Sequence, residues 1–234
     1  MTNSDSVAVL TGDLIKYTKF AGKSSDYIAC LTTALENISK NYNFNYQIFR
    51  GDSFQGILKN PNQALKVALI IRAYLLSQPE KQITTNYNLA PFRRQRCDSR
   101  ISIGLGQADY DIINVGRSDG AAFRSSGYGL DDMKRRKQSL IIYTPSQDYN
   151  AELEIECALL DAVISHWTRE QAAAMFLALQ GSNQSKISQI LKNTQSGVSQ
   201  KLSRAGYGEI EKMMKRFSDK ANQSMLNFDS GQGN

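Results

Sequence analysis

The short stretch from Phe49 to Gly56 constrains the fold of this chain more than any other. Apolar side chains alternate with polar or small ones on both sides of Gly51 and Asp52, the pattern of two strands with one buried face. Glycine and aspartate tolerate the backbone angles of a tight corner, so these two residues predict a β-hairpin. The hairpin would place the carboxylate of Asp52 at the tip of a sheet edge.

A second carboxylate, Asp13, follows an apolar run at 7–10 that predicts a buried strand over 6–11. If the two strand ends lie side by side, Asp13 and Asp52 converge and can hold a divalent cation through oxygen ligands. Each aspartate also has an ordinary structural interpretation. Asp after a strand often caps a helix, and Asp in a corner often makes an Asx turn.

Strand and helix periodicities alternate along the first 145 residues. They predict strands over 6–11, 46–50, 54–58, 100–106 and 140–143, and helices over 24–40, from Pro61 and over 119–136. The order β-α-β-β-α-β-α-β is typical of a ferredoxin-like domain with one added αβ unit. From about residue 146 only helical patterns recur. We therefore expect an α+β chain, with a ferredoxin-like domain over 1–145, an all-α domain over 146–222 and a mobile tail over 223–234.

Composition excludes several classes of function. The 234 residues carry a net charge of +6, which permits nucleic-acid or phosphate partners. No run approaches the roughly 20 apolar residues of a membrane span, and the first residues do not resemble a signal peptide. Three widely spaced cysteines argue against a disulfide framework and a zinc knuckle, and favour the cytoplasm. The one histidine, His166, lies on an apolar helical pattern and is interpreted as a packed structural residue.

A polar stretch over 77–96 predicts a long loop or insertion that ends in an arginine cluster over 93–96. The arginines form either a solvated basic face or an arm that contacts phosphates. The sequence leaves both interpretations open.

Two short amphipathic patterns, over 185–191 and 194–204, are separated by Lys192 and Asn193. Thr194 suits the N-cap of the second helix. The spacing predicts a helix-turn-helix whose second helix reads base edges in the major groove. The candidate DNA-binding residues are Lys186, Thr194, Gln195, Ser196, Ser199, Gln200, Lys201 and Arg204. A plain helical hairpin used for dimerisation is the alternative.

Four motifs resemble the class III nucleotidyl cyclase fold and its GGDEF-type relatives. The resemblance is closer to the bacterial SatD family, which adds a C-terminal helix-turn-helix. The motifs are Gly12-Asp13 with a following aliphatic residue, Gly51-Asp52-x-Phe54-Gln55-Gly56, Ile101-x-Ile103-Gly104-x-Gly106 and Asp119-Gly120-x-Ala122-Phe123. The run 195–199 also resembles the start of the recognition helix in phage-repressor and sigma-region-4-type proteins.

The resemblance implies a palm-like site in which Asp13 and Asp52 bind Mg²⁺ or Mn²⁺. It also implies nucleotide-binding residues, which are Leu14, Arg50, Ser53 and Arg124. Ala122 and Ser126 correspond to the residues that orient and stabilise the transferring phosphorus in active cyclases. We therefore expect ligand binding rather than turnover.

Together these patterns predict a DNA-binding transcriptional regulator that senses a nucleotide or another phosphorylated ligand and binds DNA as a homodimer. A metal-dependent nucleotidyl cyclase or nucleotidyltransferase is the alternative. A third interpretation is an interaction module in which both domains bind only protein. No membrane partner is expected.

Overall fold

The computed structural model describes residues 5–15, 24–79, 96–112 and 114–229. Within these ranges, the strands are β1 (Asp5–Leu14), β2 (Phe44–Phe49), β3 (Ser53–Leu58), β4 (Ser99–Asp109), β5 (Asp119–Gly120) and β6 (Leu140–Tyr143). The helices are α1 (Ser24–Tyr42), α2 (Ala64–Ser77), α3 (Ala121–Arg136), α4 (Gln147–Ser165), α5 (Arg169–Leu179), α6 (Gln184–Ile190), α7 (Gln195–Arg204) and α8 (Tyr207–Asp229). The chain is a mixed α/β protein whose final third is helical.

All six strands belong to one sheet. Its main order is β2-β3-β1-β4-β5, with every neighbouring pair antiparallel, and β6 pairs with β4 in the parallel direction. The hairpin between β2 and β3 turns at Arg50 and Gly51, both at positive φ (52° and 83°). The predicted hairpin is confirmed, and it brings Asp52 to the end of the sheet where Asp13 lies.

The two faces of the sheet pack against different helices because side chains alternate along each strand. On one face, Ala8 and Leu10 of β1 join the apolar core built with α1 and α2. On the other face, Val7 and Val9 pack with Ala122 and other apolar residues of α3. By the same alternation, Thr11 and Asp13 belong to the α3 face.

Helix α3 approaches β4 closely because small residues line both surfaces. A Cβ added at Gly104 would lie 2.2 Å from the carbonyl oxygen of Ala122, and one added at Gly129 would lie 2.2 Å from Ser102 Oγ. Neither position tolerates a side chain without moving the helix. This close approach carries the C-terminal end of α3 to the strand end that holds Asp13.

The C-terminal helices continue the same apolar core. Buried side chains from Ala8 in β1 to Ala221 in α8 form one cluster, and Trp167 donates from Nε1 to the carbonyl of Ala205 (2.9 Å). Thr168 begins α5 with a capping box, and Asn183 and Thr194 cap α6 and α7 through their side chains. The core therefore crosses residue 146, and the division into two domains stays a prediction.

A buried ion cluster ties α2 to α4 and to the residue that precedes β4. Arg72, only 2 % exposed, donates from Nε to Asp98 Oδ1 (3.1 Å), from Nη2 to Asp98 Oδ2 (2.9 Å) and from Nη1 to Asp161 Oδ1 (2.5 Å). The other oxygen of Asp161 accepts the backbone N–H groups of Ser139 (2.7 Å) and Leu140 (3.1 Å). We name Arg72, Asp98 and Asp161 the Arg72 cluster.

Several predicted boundaries move in the structure. β1 extends to Leu14, so Asp13 lies within the strand and not after it. Residues 119–120 form the short strand β5, and α3 begins only at Ala121. His166 is exposed at the end of α4, with Nδ1 2.7 Å from the carbonyl oxygen of Ala162, so its interpretation as a packed residue was wrong.

Other predictions meet the limits of the described ranges. Residues 80–95 of the predicted 77–96 loop lie outside them, and so do most of the arginines of the 93–96 cluster. The backbone is helical to Asp229, past the predicted start of the tail at 223, while 230–234 are not described. None of the described helices combines the length and the hydropathy that a membrane-spanning segment requires.

Candidate functional sites

Asp13 occupies the end of β1, opposite Ser53 of β3 and Arg100 of β4. The residue is 8 % exposed, which is unusual for an aspartate. Arg100 holds both of its carboxylate oxygens: Nε donates to Oδ1 at 2.8 Å and Nη2 to Oδ2 at 3.0 Å. Lys134 Nζ, from the end of α3, lies 4.0 Å from Oδ2. We name Asp13, Arg100 and Lys134 the Asp13 cluster.

The pKa of Asp13 is raised above its ordinary value by burial, because the interior disfavours the charged carboxylate. Arg100, and to a smaller extent Lys134, lower the pKa without cancelling the effect of burial. The negative charge of Asp52 raises it further. Asp13 pairs with Ser53 across β1 and β3, so Asp52, the neighbour of Ser53, lies at the same end of the sheet as predicted.

The hairpin supplies the second carboxylate and fixes its backbone. The carbonyl oxygen of Asp52 accepts the N–H of Leu14 (2.9 Å), and Asp52 Oδ1 accepts from Ser53 Oγ (3.3 Å). Arg50 is exposed in the turn itself. The structure thus brings Leu14, Asp52 and Ser53 together with Asp13, and places Arg50 at the rim.

Arg124 does not join this group. Its Nη1 binds both oxygens of Asp119, at 2.9 and 3.0 Å, and both side chains are mostly exposed. Arg124 lies in the first turn of α3, whereas Lys134, which faces Asp13, lies near the end of the same helix. Ten residues of helix span about 15 Å, so Arg124 and Lys134 lie at opposite ends of α3 and cannot contact the same small ligand group.

The placement of these side chains does not fit a divalent cation. Mg²⁺ is usually bound through one or two free carboxylates together with waters or phosphates. Here both oxygens of Asp13 already accept hydrogen bonds from Arg100. Among the described residues there is no group of three His, Cys, Asp or Glu side chains that could hold a metal ion.

Polar groups continue from the Asp13 cluster along the α3 face. Thr11 Oγ1 lies 2.9 Å from Ser126 Oγ and accepts from Gln55 Nε2 (3.1 Å). Ser102, 0 % exposed, has an Oγ without a hydrogen-bond partner. A buried hydroxyl without a partner is costly, so Ser102 Oγ lowers the stability of this part of the core.

Sequence reasoning did not identify two cationic residues of this site, Arg100 and Lys134. Arg100 opens an alternating strand, and that alternation places it on the face opposite Ile101, so the pattern contained a usable signal. Lys134 sits in a basic run that the helix dipole already explains. Its approach to Asp13 depends on how closely α3 packs, which no local pattern encodes.

The second candidate site is the helix pair α6 and α7. A turn over 191–194 joins them, with Lys192 at φ 50°, where a glycine is more usual. Thr194 Oγ1 accepts the N–H of Gly197 (3.0 Å), and Val198 and Leu202 are buried. The predicted helices, turn and N-cap are present.

Asn193 holds a position in the turn where helix-turn-helix proteins usually have an apolar residue. The structure explains why asparagine fits there. Its Oδ1 accepts the N–H of Thr194 (2.7 Å), and a Cβ added at Gly197 would lie 2.5 Å from that oxygen. Asn193 therefore fixes the entry into α7, and Gly197 leaves the room that it needs.

The predicted DNA-binding residues lie on the open side of this pair. Lys201 is partly buried, and the others are exposed: Lys186, Thr194, Gln195, Ser196, Ser199, Gln200 and Arg204. Residues 181–208 contain four lysines and arginines and no aspartate or glutamate. The surface is cationic and rich in amides and hydroxyls.

No family model and no curated protein sequence matches this chain. One similar solved structure is the monomeric guanylyl cyclase domain of the RhoGC fusion protein from the aquatic fungus Blastocladiella emersonii. It is 16 % identical, covers 55 % of this chain and 75 % of its own, and has a TM-score of 0.41. A dimeric form of the same domain is 18 % identical, covers 45 % of this chain and 60 % of its own, and has a TM-score of 0.32. Likenesses this weak bear on neither the ligand nor the chemistry of this chain, and membership of the SatD family stays a prediction.

Proposed function

We propose that this chain is a DNA-binding regulator that contacts the double helix through α6 and α7. The observation that supports it is the exposed start of α7, where amides and hydroxyls stand among cations with no carboxylate from 181 to 208. Amides and hydroxyls hydrogen-bond base edges in the major groove, and lysine and arginine bind phosphates. The positive end of the α7 dipole adds to this attraction.

The residues divide by their place on the helix pair. Gln195 and Ser199 lie one turn apart on the open face of α7, so both can reach base edges. Lys186 on α6 and Arg204 at the far end of α7 flank them and suit the phosphates on either side. Thr194 has a structural role as the N-cap, and its substitution would weaken α7 itself.

The test begins by selecting duplexes from a random-sequence pool with the full chain. Binding is then measured by fluorescence anisotropy on the selected duplex and on an unrelated one. Gln195→Ala/Ser199→Ala should weaken binding to the selected duplex by about 10- to 100-fold, since a good base contact contributes about 1–3 kcal/mol. Its affinity for the unrelated duplex should stay near that of the wild type.

A phosphate contact behaves differently and supplies the control. Lys186→Ala should weaken binding to both duplexes and lower the slope of log K against log salt by about 1. Lys215→Ala, which removes an exposed cation of α8, should leave that slope unchanged. Selection of no preferred sequence, or unchanged preference in the double variant, would show that α7 is not a recognition helix.

A second function is favoured by the meeting of Asp13 and Asp52 at one strand end. We place there a site for the phosphates of a nucleotide, in a palm-like, ferredoxin-like domain related to nucleotidyl cyclases and the SatD family. The strand order β2-β3-β1-β4 with α1 and α2 in the core of one face supports that topology. The partly exposed Arg100 and Lys134 supply the positive charge for phosphate.

This site is expected to bind without catalysing transfer. Ala122 and Ser126 are buried, and Ser126 Oγ is engaged with Thr11, so neither supplies a cation or an amide to a phosphoryl group. Arg124 is occupied by Asp119 at the other end of α3. Phosphoryl transfer depends on such positioned charges, and without them the rate enhancement is lost.

A thermal-shift titration with each nucleoside triphosphate, with and without Mg²⁺ or Mn²⁺, tests this proposal. Binding to the folded state raises the melting temperature by mass action, and we expect a shift without metal that Arg100→Met removes. Lys59→Met, which removes an exposed cation away from this strand end, is the matched control. A shift that needs metal and is lost in Asp13→Ala/Asp52→Ala would instead favour a metal-dependent cyclase-like site, to be assayed by pyrophosphate release. No shift under any condition would contradict both versions.

A further inference from the structure

Strand β6 lies at an edge of the sheet, with one side of its backbone turned toward α4. Among the described strands it pairs with β4 only. The N–H of Ile101 in β4 donates to the carbonyl of Ser139 (2.9 Å), so residue 139 faces β4. Backbone groups alternate between the two sides of a strand, so every second residue after that one faces away from β4. These outward residues are Leu140, Ile142 and Thr144.

Side chains of α4 bind the backbone at two of the three outward positions. Asp161 Oδ2 accepts the N–H of Leu140 (3.1 Å). Asn150 binds both backbone groups of Thr144, because its Oδ1 accepts the N–H (2.7 Å) and its Nδ2 donates to the carbonyl (2.9 Å). The planar amide of Asn150 thus exchanges two hydrogen bonds with Thr144, as a residue of a neighbouring antiparallel strand does.

Ile142, which lies between these two positions, has no such partner. No hydrogen bond from the described residues reaches its outward N–H or carbonyl, although the residue is only 3 % exposed. Buried backbone groups without a partner are rare in native proteins because each costs free energy. Ile142 therefore presents a donor and an acceptor, side by side, that a ligand can satisfy.

A cavity of about 280 Å³ lies at this position, between β6 and α4. Its size is near the lower end of the range for small-molecule sites, about 300–1,000 Å³, so it suits a ligand of one or two rings. Six of its lining residues are Ile141, Ile142 and Tyr143 of β6 and Asn150, Ala151 and Cys157 of α4. We name it the Ile142 cavity.

The charges around the Ile142 cavity neutralise one another. Arg136 Nη1 donates to Glu154 Oε1 (2.6 Å), and Arg136 also pairs with Asp132. Burial raises the pKa of the Cys157 thiol, so this group stays uncharged. Gln138, another lining residue, has a buried amide oxygen without a hydrogen-bond partner in the described part of the chain. The lining therefore favours an uncharged, hydrogen-bonding ligand over an anion such as phosphate.

The two ends of this edge decide between a peptide strand and a small molecule. A peptide that adds a strand to a sheet edge bonds several outward residues in succession. Here Asp161 and Asn150 already bind the outward residues on either side of Ile142. A single donor–acceptor pair is left, which matches one planar amide group and not a strand.

We propose that the Ile142 cavity binds an uncharged planar heterocycle with a lactam edge, a ring N–H beside a ring carbonyl, as in 2-pyridone or hypoxanthine. The ring carbonyl accepts the N–H of Ile142, and the ring N–H donates to the carbonyl of Ile142. Asn150 binds Thr144 in the same way one position further along the edge. The proposal depends neither on DNA binding by α7 nor on phosphate binding at the strand end.

The first test compares each lactam with an analogue that lacks its donor. The full chain, labelled with ¹⁵N-isoleucine, is titrated with 2-pyridone and hypoxanthine, and with N-methyl-2-pyridone and 1-methylhypoxanthine. The lactams should move the amide signal of Ile142, which is assigned by its absence from an Ile142→Val chain. The methylated analogues should bind at least about 10-fold more weakly, because they leave the buried carbonyl without a donor. Equal binding of a lactam and its methylated analogue, or no binding of either lactam, would overturn the proposal.

The second test fills the cavity from α4. Ala151 is exposed on the helix and lines the cavity, so the ring of Ala151→Phe should occupy it and weaken binding of hypoxanthine by at least about 10-fold. Ala162→Phe changes an exposed alanine of the same helix outside the lining and should leave the affinity unchanged. Circular dichroism melting checks that both variants fold. Unchanged affinity in Ala151→Phe, or an equal loss in both variants, would place the ligand elsewhere and overturn the proposal.

Discussion

The Arg72 cluster and the Asp13 cluster both pair an arginine with an aspartate, but they differ in how deeply they are buried and in how many of their polar groups are paired. In each, an arginine holds both oxygens of an aspartate, and the two clusters lie only two residues apart at the start of β4, at Asp98 just before the strand and at Arg100 within it. Arg72 is 2 % exposed and has a second carboxylate, whose other oxygen is filled by two backbone N–H groups. The Asp13 cluster has an arginine and a lysine that are 23 % and 49 % exposed.

The difference separates a structural role from a binding role. Burial lowers the pKa of Arg72, and the carboxylates of Asp98 and Asp161 raise it by more, so the guanidinium stays charged inside the core. All of its partners come from the chain, and no group is left to bind a ligand. In the Asp13 cluster Lys134 lies 4.0 Å from Asp13 Oδ2 and 3.6 Å from Asp131 Oδ1, and about half of its side chain is exposed to solvent. An anion from outside can therefore reach that cation.

The largest effect should come from breaking the Arg72 cluster. Arg72→Met leaves the carboxylates of Asp98 and Asp161 without their cation, and loss of one partner of a buried ion pair costs about 3–5 kcal/mol. Urea denaturation followed by circular dichroism measures the loss. Arg216→Met is the control, because its pair with Glu152 is about half exposed and such pairs contribute at most about 1 kcal/mol. Equal losses of unfolding free energy in the two variants would show that burial of the Arg72 cluster adds nothing to its contribution to stability.

A smaller effect, with a defined pH dependence, is expected at Asp13. Burial raises the pKa of its carboxyl above the usual 3.8, so the folded state holds the proton more tightly than the unfolded chain. The stability that this proton contributes is fully present below the usual pKa and is lost as the pH rises through the raised pKa.

Asp13→Asn has no such proton. The wild type should therefore gain stability relative to Asp13→Asn as the pH falls from about 7 to about 4. Urea midpoints of both chains across that range measure the difference. A relative loss by the wild type on acidification would mean that Arg100 outweighs burial, and the Asp13 cluster would then resemble the Arg72 cluster.

The smallest effect is expected at Ser102. Its buried Oγ has no hydrogen-bond partner, so Ser102→Ala removes a buried polar group and breaks no hydrogen bond. The free energy of unfolding should stay within about 0.5 kcal/mol of the wild type or rise slightly. Ser126→Ala is the matched control, because its hydroxyl bonds with Thr11 and with the carbonyl of Phe123, and its loss should lower stability. If Ser102→Ala were the more costly change, Ser102 would have a partner that the structure does not show.

Local patterns predicted much of the fold. The hairpin at Gly51 and Asp52, the alternating strand over 100–106 and the cap at Thr194 all depend on residues a few positions apart, and each is present. The approach of Asp13 to Asp52 was also predicted, because it requires only that two strand ends be neighbours. The exposed positions of Gln195 and Ser199 follow from the period of an α-helix.

The sequence by itself therefore determined most of the longer elements, their order and the two aspartates at one end of the sheet, but not the short strand β5 or helix α8. The tertiary structure decided what those aspartates face. Arg100 reaches Asp13 because β4 pairs with β1 in one register, and Lys134 reaches it because Gly104 and Gly129 let α3 lie close to the sheet. Register and helix approach depend on side chains far apart in the chain, so no window of sequence contains them. For the same reason a carboxylate pair that suggested a metal site became, once folded, an aspartate already paired with an arginine.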